Sequence, residues 1–263
     1  MSGIEYRLLQ TAEEYAAALA LQRKVWGASF AEAAPPSILM VVQKVGGIAA
    51  GAFVKNRLIG LVFGITGWEK GHAVHWSDLL AVDPEWQGRG IGRQLKWFQR
   101  ALLLQRQVSV VRWSYEPLEA RNAYLNLCRL GARVKAYIPD MYLESSGSEL
   151  HAGLGMDRLI VSWDLLAPEV HYASDGQVLK CAPDWRQVPV VGWPDRKHTW
   201  PDLERLRIPI PRNLQALKAK NAQQATVWRQ VTREAFTHYL SKGYEVVGFD
   251  VDNKHGYYLL KKR

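Results

Sequence analysis

The clearest chemical signal in the chain is a ten-residue stretch, Asp83-Pro84-Glu85-Trp86-Gln87-Gly88-Arg89-Gly90-Ile91-Gly92. Three glycines in five positions let the backbone turn with few Cβ clashes, so several N–H groups can point at one spot. After them Ile91, Leu95, Phe98 and Leu102 recur at helical spacing, with Arg93, Lys96, Arg100 and Arg106 mostly on the other side. The turn therefore opens a helix, whose unpaired first-turn N–H groups and dipole favour an anion. The predicted chemistry is phosphate binding at a helix N-terminus. The spacing is neither G-x-G-x-x-G nor G-x-x-x-x-G-K-[ST], which weakens the dinucleotide and P-loop readings.

An acid lies just upstream. Ala73 to Val82 reads as a strand, and alternation puts Trp76, Asp78, Leu80 and Val82 on one face. An acid in an otherwise apolar strand is a candidate base or proton conduit, or the partner of an arginine or a backbone group. Together, Leu80-Ala81-Val82-Asp83-Pro84 and Gln87-Gly88-Arg89-Gly90-Ile91-Gly92 closely resemble the pyrophosphate motif of the GNAT N-acetyltransferase superfamily, which holds acyl-coenzyme A. That resemblance implies pantetheine contacts at Leu80 and Val82. It implies phosphate contacts at Gln87, Gly88, Arg89, Gly90, Ile91 and Gly92, with Arg93 beside them. It also implies a base at Asp78 or at Trp76, the latter assigned here to the substrate.

Acyl transfer to an amine needs a base for the ammonium proton, donors for the oxyanion and an acid for the thiolate. Many superfamily members place a tyrosine acid where this chain has Leu127. Tyr124, one turn earlier, and Tyr115 and Glu116, at the end of the next strand, are the alternatives. Asn122 and Asn126, four apart on one helical face, are candidates for the pantetheine amides. Arg158 could hold a carboxylate bidentately, or pair with Asp157 or another acid. Arg121 to Leu127, Arg112 to Leu118 and Leu150 to Arg158 resemble a bacterial branch of the superfamily with a C-terminal extension, some of whose members are associated with N-succinylation of amino acids. In that branch histidine is frequent around Trp76 and Asp78, and Pro-Thr stands where this chain has Gly155-Met156. The expected cofactor is therefore acetyl-CoA or another acyl-CoA, succinyl-CoA included, without a metal.

The elements that must position these residues follow from patterning. Tyr6 to Leu9 is a strand candidate, and Thr11-Ala12-Glu13-Glu14 has capping-box form at the start of a helix reaching Val25. A break from Gly27 to Pro36 follows. Ile48 to Val54 and Leu58 to Ile65 form a hairpin about Lys55-Asn56-Arg57. After the glycine loop and its helix, to Gln107, come a strand from Val108 to Trp113 and a helix from Glu119 to Leu130 that Gly131 stops. Strands Val134 to Ile138 and Leu159 to Trp163 flank a polar loop holding Ser145, Ser146, Gly147 and Ser148. The order β-α-β-β-β-loop-α-β-α-β-β over residues 1–165 is that of the acetyltransferase fold, an α/β (α+β) class with a mixed central sheet and flanking helices.

Residues 166–263 read as a smaller α+β extension. Its prolines break the first half into extended pieces. A helix then runs from Asn213 to Lys242 and stops at Gly243, before strands Tyr244 to Val251 and Tyr257 to Leu260. The helix–Gly–strand–strand order echoes Asn122 to Trp163, which suggests a degenerate half-repeat; the commonness of glycine-capped helices explains it equally well.

Composition bounds the partners. The chain has 263 residues and net charge +9, with 18 Lys/Arg against 15 Asp/Glu in residues 1–165 and 16 against 10 beyond. The surplus suits a coenzyme with three phosphate groups, and its dispersal disfavours nucleic acid. Cys128 and Cys181 have no metal or redox spacing and fit a reducing cytosol. No signal-peptide or membrane-length apolar run occurs. The seven histidines, at positions 72, 75, 151, 171, 198, 238 and 255, make no ligand cluster. Trp113 and Trp163 are expected in the core, and Trp185, Trp193 and Trp200 either in the core or lining a pocket. The expected partners are acyl-CoA and a small-molecule amine, with no membrane, and a homodimer is compatible with the sequence. The rival readings are a non-catalytic acyl-CoA-binding module and a modifier of protein or nucleic acid docked through the basic extension.

Overall fold

The structure, a computed structural model, describes residues 3–142, 153–195 and 199–263. The expected polar loop at Ser145 to Ser148 and the histidines at 151 and 198 lie outside the described residues. The chain divides into two compact units. The first holds the described residues up to 113 with 164–166; the second holds 114–142, 153–163 and 167–263.

The first unit begins with β1 (Glu5–Leu8) and α1 (Ala12–Trp26). The capping box is formed: the Glu14 N–H donates to Thr11 Oγ1 and the Thr11 N–H donates to the Glu14 carboxylate. A second helix, α2 (Pro36–Lys44), was not expected; Pro36 starts it at the first helical position, where a missing N–H costs nothing. Next come β2 (Ile48–Val54), β3 (Arg57–Glu69), β4 (His72–Val82), α3 (Ile91–Gln105) and β5 (Val110–Tyr115), whose last two residues belong to the second unit. β1, β2, β3 and β4 are successive antiparallel neighbours, and β5 joins β4 in parallel, so the sheet is mixed. The β2–β3 turn is Lys55-Asn56 with φ of 45° and 66°, the pair of positive values that a tight two-residue hairpin turn requires. Leu9, Tyr15, Ala18, Leu21 and Leu39 pack with Phe53, Leu61, Phe63, Leu79 and Ala81 as one core. The buried stripe of α3 is Ile91, Leu95, Lys96, Gln99 and Leu103. Phe98 and Leu102 are only partly buried, and two polar residues stand in the stripe instead.

In the second unit the expected helix is split in kind. α4 (Ala120–Ala123) continues as a π-helical turn over Tyr124–Arg129, and Gly131 leaves it at φ +75°. β6 (Arg133–Ile138) and β7 (Arg158–Asp164) are antiparallel, and the Trp163 indole donates to the Leu130 carbonyl at 2.7 Å. α5 (Pro168–Ser174) and β8 (Arg205–Pro211) were missed in the sequence because prolines mark them. β8 lies at the edge of the sheet order β8-β10-β9, where prolines are tolerated for want of a second ladder. The single helix expected over Asn213 to Lys242 is two, α6 (Leu214–Lys220) and α7 (Ala222–Ser241). Asn221 turns extended between them and caps α7 by accepting from the Gln224 N–H. β9 (Tyr244–Val251) and β10 (His255–Lys262) complete this unit. Trp185 and Trp193 pack with Val188, Tyr257 and Leu259. No helix of the described residues is long and apolar enough to cross a membrane.

Candidate functional site

The glycine loop is anchored by a buried carboxylate that patterning missed. Asp83 is 3% exposed. Its oxygens accept from Lys24 Nζ at 2.9 and 3.0 Å, from Arg57 Nη2 at 2.9 Å and from the Glu85 N–H at 3.1 Å. Burial would raise its pKa, but these bonds together hold the carboxyl below the usual range. α1 and β3 are thereby tied to the start of the loop, which turns through a short 3-10 segment, Pro84–Trp86. Gln87 donates to the Val82 carbonyl at 3.2 Å, and the Arg89 guanidinium lies 4.8 Å from the Trp86 ring centre.

Gly88 and Gly90 both have φ of +77°, where a side chain would be strained. Gly90 is the N-cap of α3 and no side chain caps the helix, so its first-turn N–H groups are left for an external acceptor. Arg93 Nε is buried there with no hydrogen-bond partner among the described residues. Gly92 differs: a Cβ would meet Val82 and Leu80 at ordinary distances of 3.6 and 3.7 Å, so the chain's own packing does not demand glycine there. Leu80, Val82, Ile91 and the loop are thus assembled in one unit, and the arrangement fits a polyphosphate.

β4 corrects the expected alternation. Phe63 pairs with Leu79 and Ile65 with Trp76, so Ser77 and Asp78 together face the single residue Gly64. This is a β-bulge. On its N-terminal side His75 and Ser77 reach Gln99 of α3; on its C-terminal side Leu80 and Val82 approach Gly92 of α3, while Leu79 and Ala81 join the core with α1. Asp78 keeps step with Leu80 and Val82, and Trp76 does not. Asp78 is reached by solvent; crowding by protein pushes its carboxyl up, against a bond from Trp76 that lowers it. A raised carboxyl is a stronger base.

The bulge coincides with a fork. β4 and β5 pair only at Val74↔Val110, His75↔Val111 and Trp76↔Arg112. Beneath the fork runs a buried polar chain. Lys96 Nζ donates to Ser77 Oγ at 2.8 Å and to Gln99 Oε1 at 3.1 Å. Gln99 Nε2 lies 3.1 Å from His75 Nε2, His75 Nδ1 3.0 Å from Thr66 Oγ1, and Thr66 donates to the Gly46 carbonyl at 3.0 Å. The donors and acceptors agree only if His75 is neutral with its proton on Nδ1. Burial, aided by the charge of Lys96, lowers its pKa to about 3, and burial lowers Lys96 to about 7. Lys96 and Gln99 were legible only as polar interruptions of the α3 stripe.

The remaining candidates lie in the second unit. Tyr115 is buried, which pushes its hydroxyl well up, and Tyr124 is raised by partial burial. Asn122 is exposed and Asn126 is buried, so they do not present one solvent-facing pair; the π-helical turn beginning at Tyr124 alters the period. Glu116 is not available as a free base. Its Oε2 accepts from Arg229 Nη2 at 2.5 Å and lies 3.4 Å from Arg158 Nη1, and its Oε1 accepts from the Leu118 N–H at 2.9 Å. Arg158, offered by the sequence either as a carboxylate holder or as the partner of an acid, lies against Glu116, its Nη1 donating also to the Asp157 carbonyl at 2.8 Å. Arg233 binds Asp157 and Asp140, and Tyr137 donates to Asp157. Arg229 and Arg233, from α7, carry no sequence signal for this role. Among the described residues no group of His, Cys, Asp and Glu could hold a metal ion.

The model of the acetyltransferase (GNAT) family matches residues 40–126, from within α2 into the π-helical turn. No curated protein matches the chain. Similar solved structures include the ribosomal-protein-S18-alanine N-acetyltransferase from Escherichia coli, 19% identical with a TM-score of 0.46, covering 61% of this chain and 93% of that one. The PaiA N-acetyltransferase from Thermoplasma acidophilum, in complex with coenzyme A, is 17% identical with a TM-score of 0.46, covering 62% and 99%. A GNAT family acetyltransferase from Elizabethkingia anophelis with acetyl-CoA bound is 16% identical with a TM-score of 0.44, covering 63% and 100%. In all three the likeness extends over about three-fifths of this chain.

Two predictions follow from the buried charges. His75 has a folded pKa of about 3 against 6.5, so the unfolded chain takes up a proton that the folded chain refuses. Its contribution is complete above pH 6.5 and lost as pH falls toward 3, on the order of 5 kcal/mol in all. Urea denaturation should show wild type losing more stability across this window than His75→Asn; equal losses would show that His75 is not held neutral. Arg229→Met leaves Glu116 buried beside Arg158 alone and should cost roughly 3–5 kcal/mol, most of it recovered in the Arg229→Met/Glu116→Leu double variant. Thermal and urea melts of the three proteins check this, and a double variant no better than the single one refutes it.

Proposed function

We propose that this chain, whose residues 40–126 match the acetyltransferase (GNAT) family model, is an acyl-CoA-dependent N-acyltransferase acting on a small-molecule amine, an amino acid among the candidates. The observation that carries the reading is the uncapped start of α3. Gly88 and Gly90 take left-handed backbone, no side chain caps the helix, and Arg93 Nε lacks an acceptor, all at the wide end of the β4–β5 fork. Backbone N–H groups from Gly88 to Gly92, with Arg89 and Arg93, would hold the phosphates of acyl-CoA; Leu80 and Val82 would line its arm. When bound, the coenzyme supplies an activated thioester carbonyl.

Asp78, on the solvent-reached side of the bulge with its pKa raised, is the group in this unit best suited to take the ammonium proton, directly or through water. Trp76, whose side chain bonds the Asp78 carboxyl, is proposed to contact the amine substrate. Direct transfer in a ternary complex is favoured over a covalent relay, because burial pushes the Cys128 thiol up to about 12 and it donates to the Phe249 carbonyl. The acyl group is acetyl or succinyl. Two free cysteines suit a bacterial cytoplasm. Residues 1–165 are the acetyltransferase region, and 166–263 an extension that could descend from half a repeat. α7, Gly243 at φ +81° and the antiparallel β9–β10 pair match the order α4, Gly131 at φ +75°, and β6–β7.

Acetyl-CoA, succinyl-CoA and free CoA should each raise the melting temperature of wild type, about 2.7 kcal/mol of stabilisation at a hundredfold excess over Kd. Gly90→Glu should abolish the shift by setting a carboxylate where the phosphates bind. Asp78→Asn should keep the shift while kcat/KM falls about 10²–10⁴-fold with the best amine. No shift with any ligand would refute the coenzyme reading, and a shift without turnover of any amine would favour the non-catalytic binding module.

A further inference from the structure

The residue after the last β4–β5 rung on each strand is Ser77 on β4 and Trp113 on β5. One side chain holds both. Lys96 Nζ is 2.8 Å from Ser77 Oγ and 3.8 Å from the centre of the Trp113 ring. Lys96, Ser77, Gln99 and Trp113 are all buried, at 2%, 4%, 0% and 6% exposure. An ammonium has three N–H groups; two are directed at Ser77 and Gln99, and the indole face takes the charge by a cation–π contact. These contacts favour the charged form, while burial opposes it. It stands at the narrow end of the fork whose wide end carries the glycine loop.

We propose that Lys96 is a positioning residue of the acyl transfer: it fixes Ser77 at the bulge and puts a positive charge at the apex of the fork, favouring the anionic sulfur that the transfer releases. This rests on the acyltransferase reading. In that reaction the amine nitrogen forms a bond to the acyl carbon and the C–S bond breaks, leaving its electron pair on sulfur. The amine proton goes to Asp78 or water. Lys96 makes and breaks no covalent bond. The role matters here because the position where many acetyltransferases place an acid for the sulfur is Leu127, a residue without a proton to give. The other titratable groups on the surrounding elements are Arg57 and Glu69 on β3, His72, His75 and Asp78 on β4, Arg112, which pairs with Glu69, and Tyr115 on β5, and Arg93, Arg100 and Arg106 on or after α3. Burial lowers the pKa of Lys96 to about 7, and an adjacent thiolate would raise it again, keeping the ammonium charged.

The test reads the sulfur rather than turnover alone. Free CoA is bound to the full chain, and the thiolate absorbance is followed as pH is raised, in wild type, Lys96→Met and Lys96→Arg. The bound thiol should ionise about one pH unit, or tenfold in proton concentration, more readily in wild type than in Lys96→Met, with Lys96→Arg closer to wild type. kcat/KM should fall in step while the CoA-induced melting shift persists. Should Lys96→Met fail to fold, Ser77→Ala, which removes one anchor of the ammonium, makes the same comparison with a smaller expected change. A bound thiol that ionises identically in wild type and variants overturns the proposal and leaves Lys96 a structural tie. A wild type whose melting point no CoA ligand moves overturns the acyltransferase reading itself, and this inference with it.

Discussion

One extra residue in β4 decides the geometry of the first unit. A strand of regular alternation would send Trp76, Asp78, Leu80 and Val82 to one face and His75, Ser77, Leu79 and Ala81 to the other. The bulge at Ser77 and Asp78 breaks that rule, so both halves of the strand satisfy α3 with different parities. His75 and Ser77 can then make polar contacts with α3, while Leu79 and Ala81 are spent on the core beneath α1. The same irregularity coincides with the end of the β4–β5 ladder. Bulges bend strands and raise their twist, which is how two parallel neighbours can part. The fork, the outward Asp78 and the lysine at the apex are consequences of that single insertion.

Opening a sheet exposes polar groups, and the chain resolves each buried charge by different means. Asp83 is surrounded by two cations and a backbone N–H, and its carboxyl is held low. Glu116 is matched by two arginines and a backbone N–H. His75 is kept neutral, with each ring nitrogen in a hydrogen bond. These arrangements are costly to break and nearly neutral to replace as sets, which makes them devices for fixing one geometry more than sources of stability.

How much of this was legible in sequence depends on whether the signal was local. The capping box at Thr11, the Lys55-Asn56 turn and the glycine start of α3 are properties of a few consecutive residues, and they form where patterning puts them. The bulge is not local: it exists only because β3 supplies one residue, Gly64, opposite two. Face assignments by alternation therefore failed at Trp76. β8 was hidden by the prolines that an edge strand can hold, and α6 and α7 were merged because Asn221 is a cap in a stretch with no glycine or proline. The pairing of Glu116 with Arg229 was invisible, since the two lie 113 residues apart.

That distance bears on what the C-terminal segment is for. Compactness does not divide the chain at residue 165; everything from 167 onward belongs with 114–142 and 153–163. α7 sends Arg229 to Glu116 and to the Leu154 carbonyl, and Arg233 to Asp157 and Asp140. Tyr258 of β10 donates to the Pro117 carbonyl, and Cys128 to the carbonyl of Phe249 in β9. Except at the exposed Asp140, these contacts add partners to buried polar groups of the segment following β5. A module that only docks onto a finished domain would leave the domain's own buried acids compensated from within. Here the acids at 116 and 157 each take a cation from α7, more than seventy residues on, so this unit reaches its satisfied state only once α7 is in place. The segment is thus part of the machinery that shapes the end of β5, whatever its ancestry.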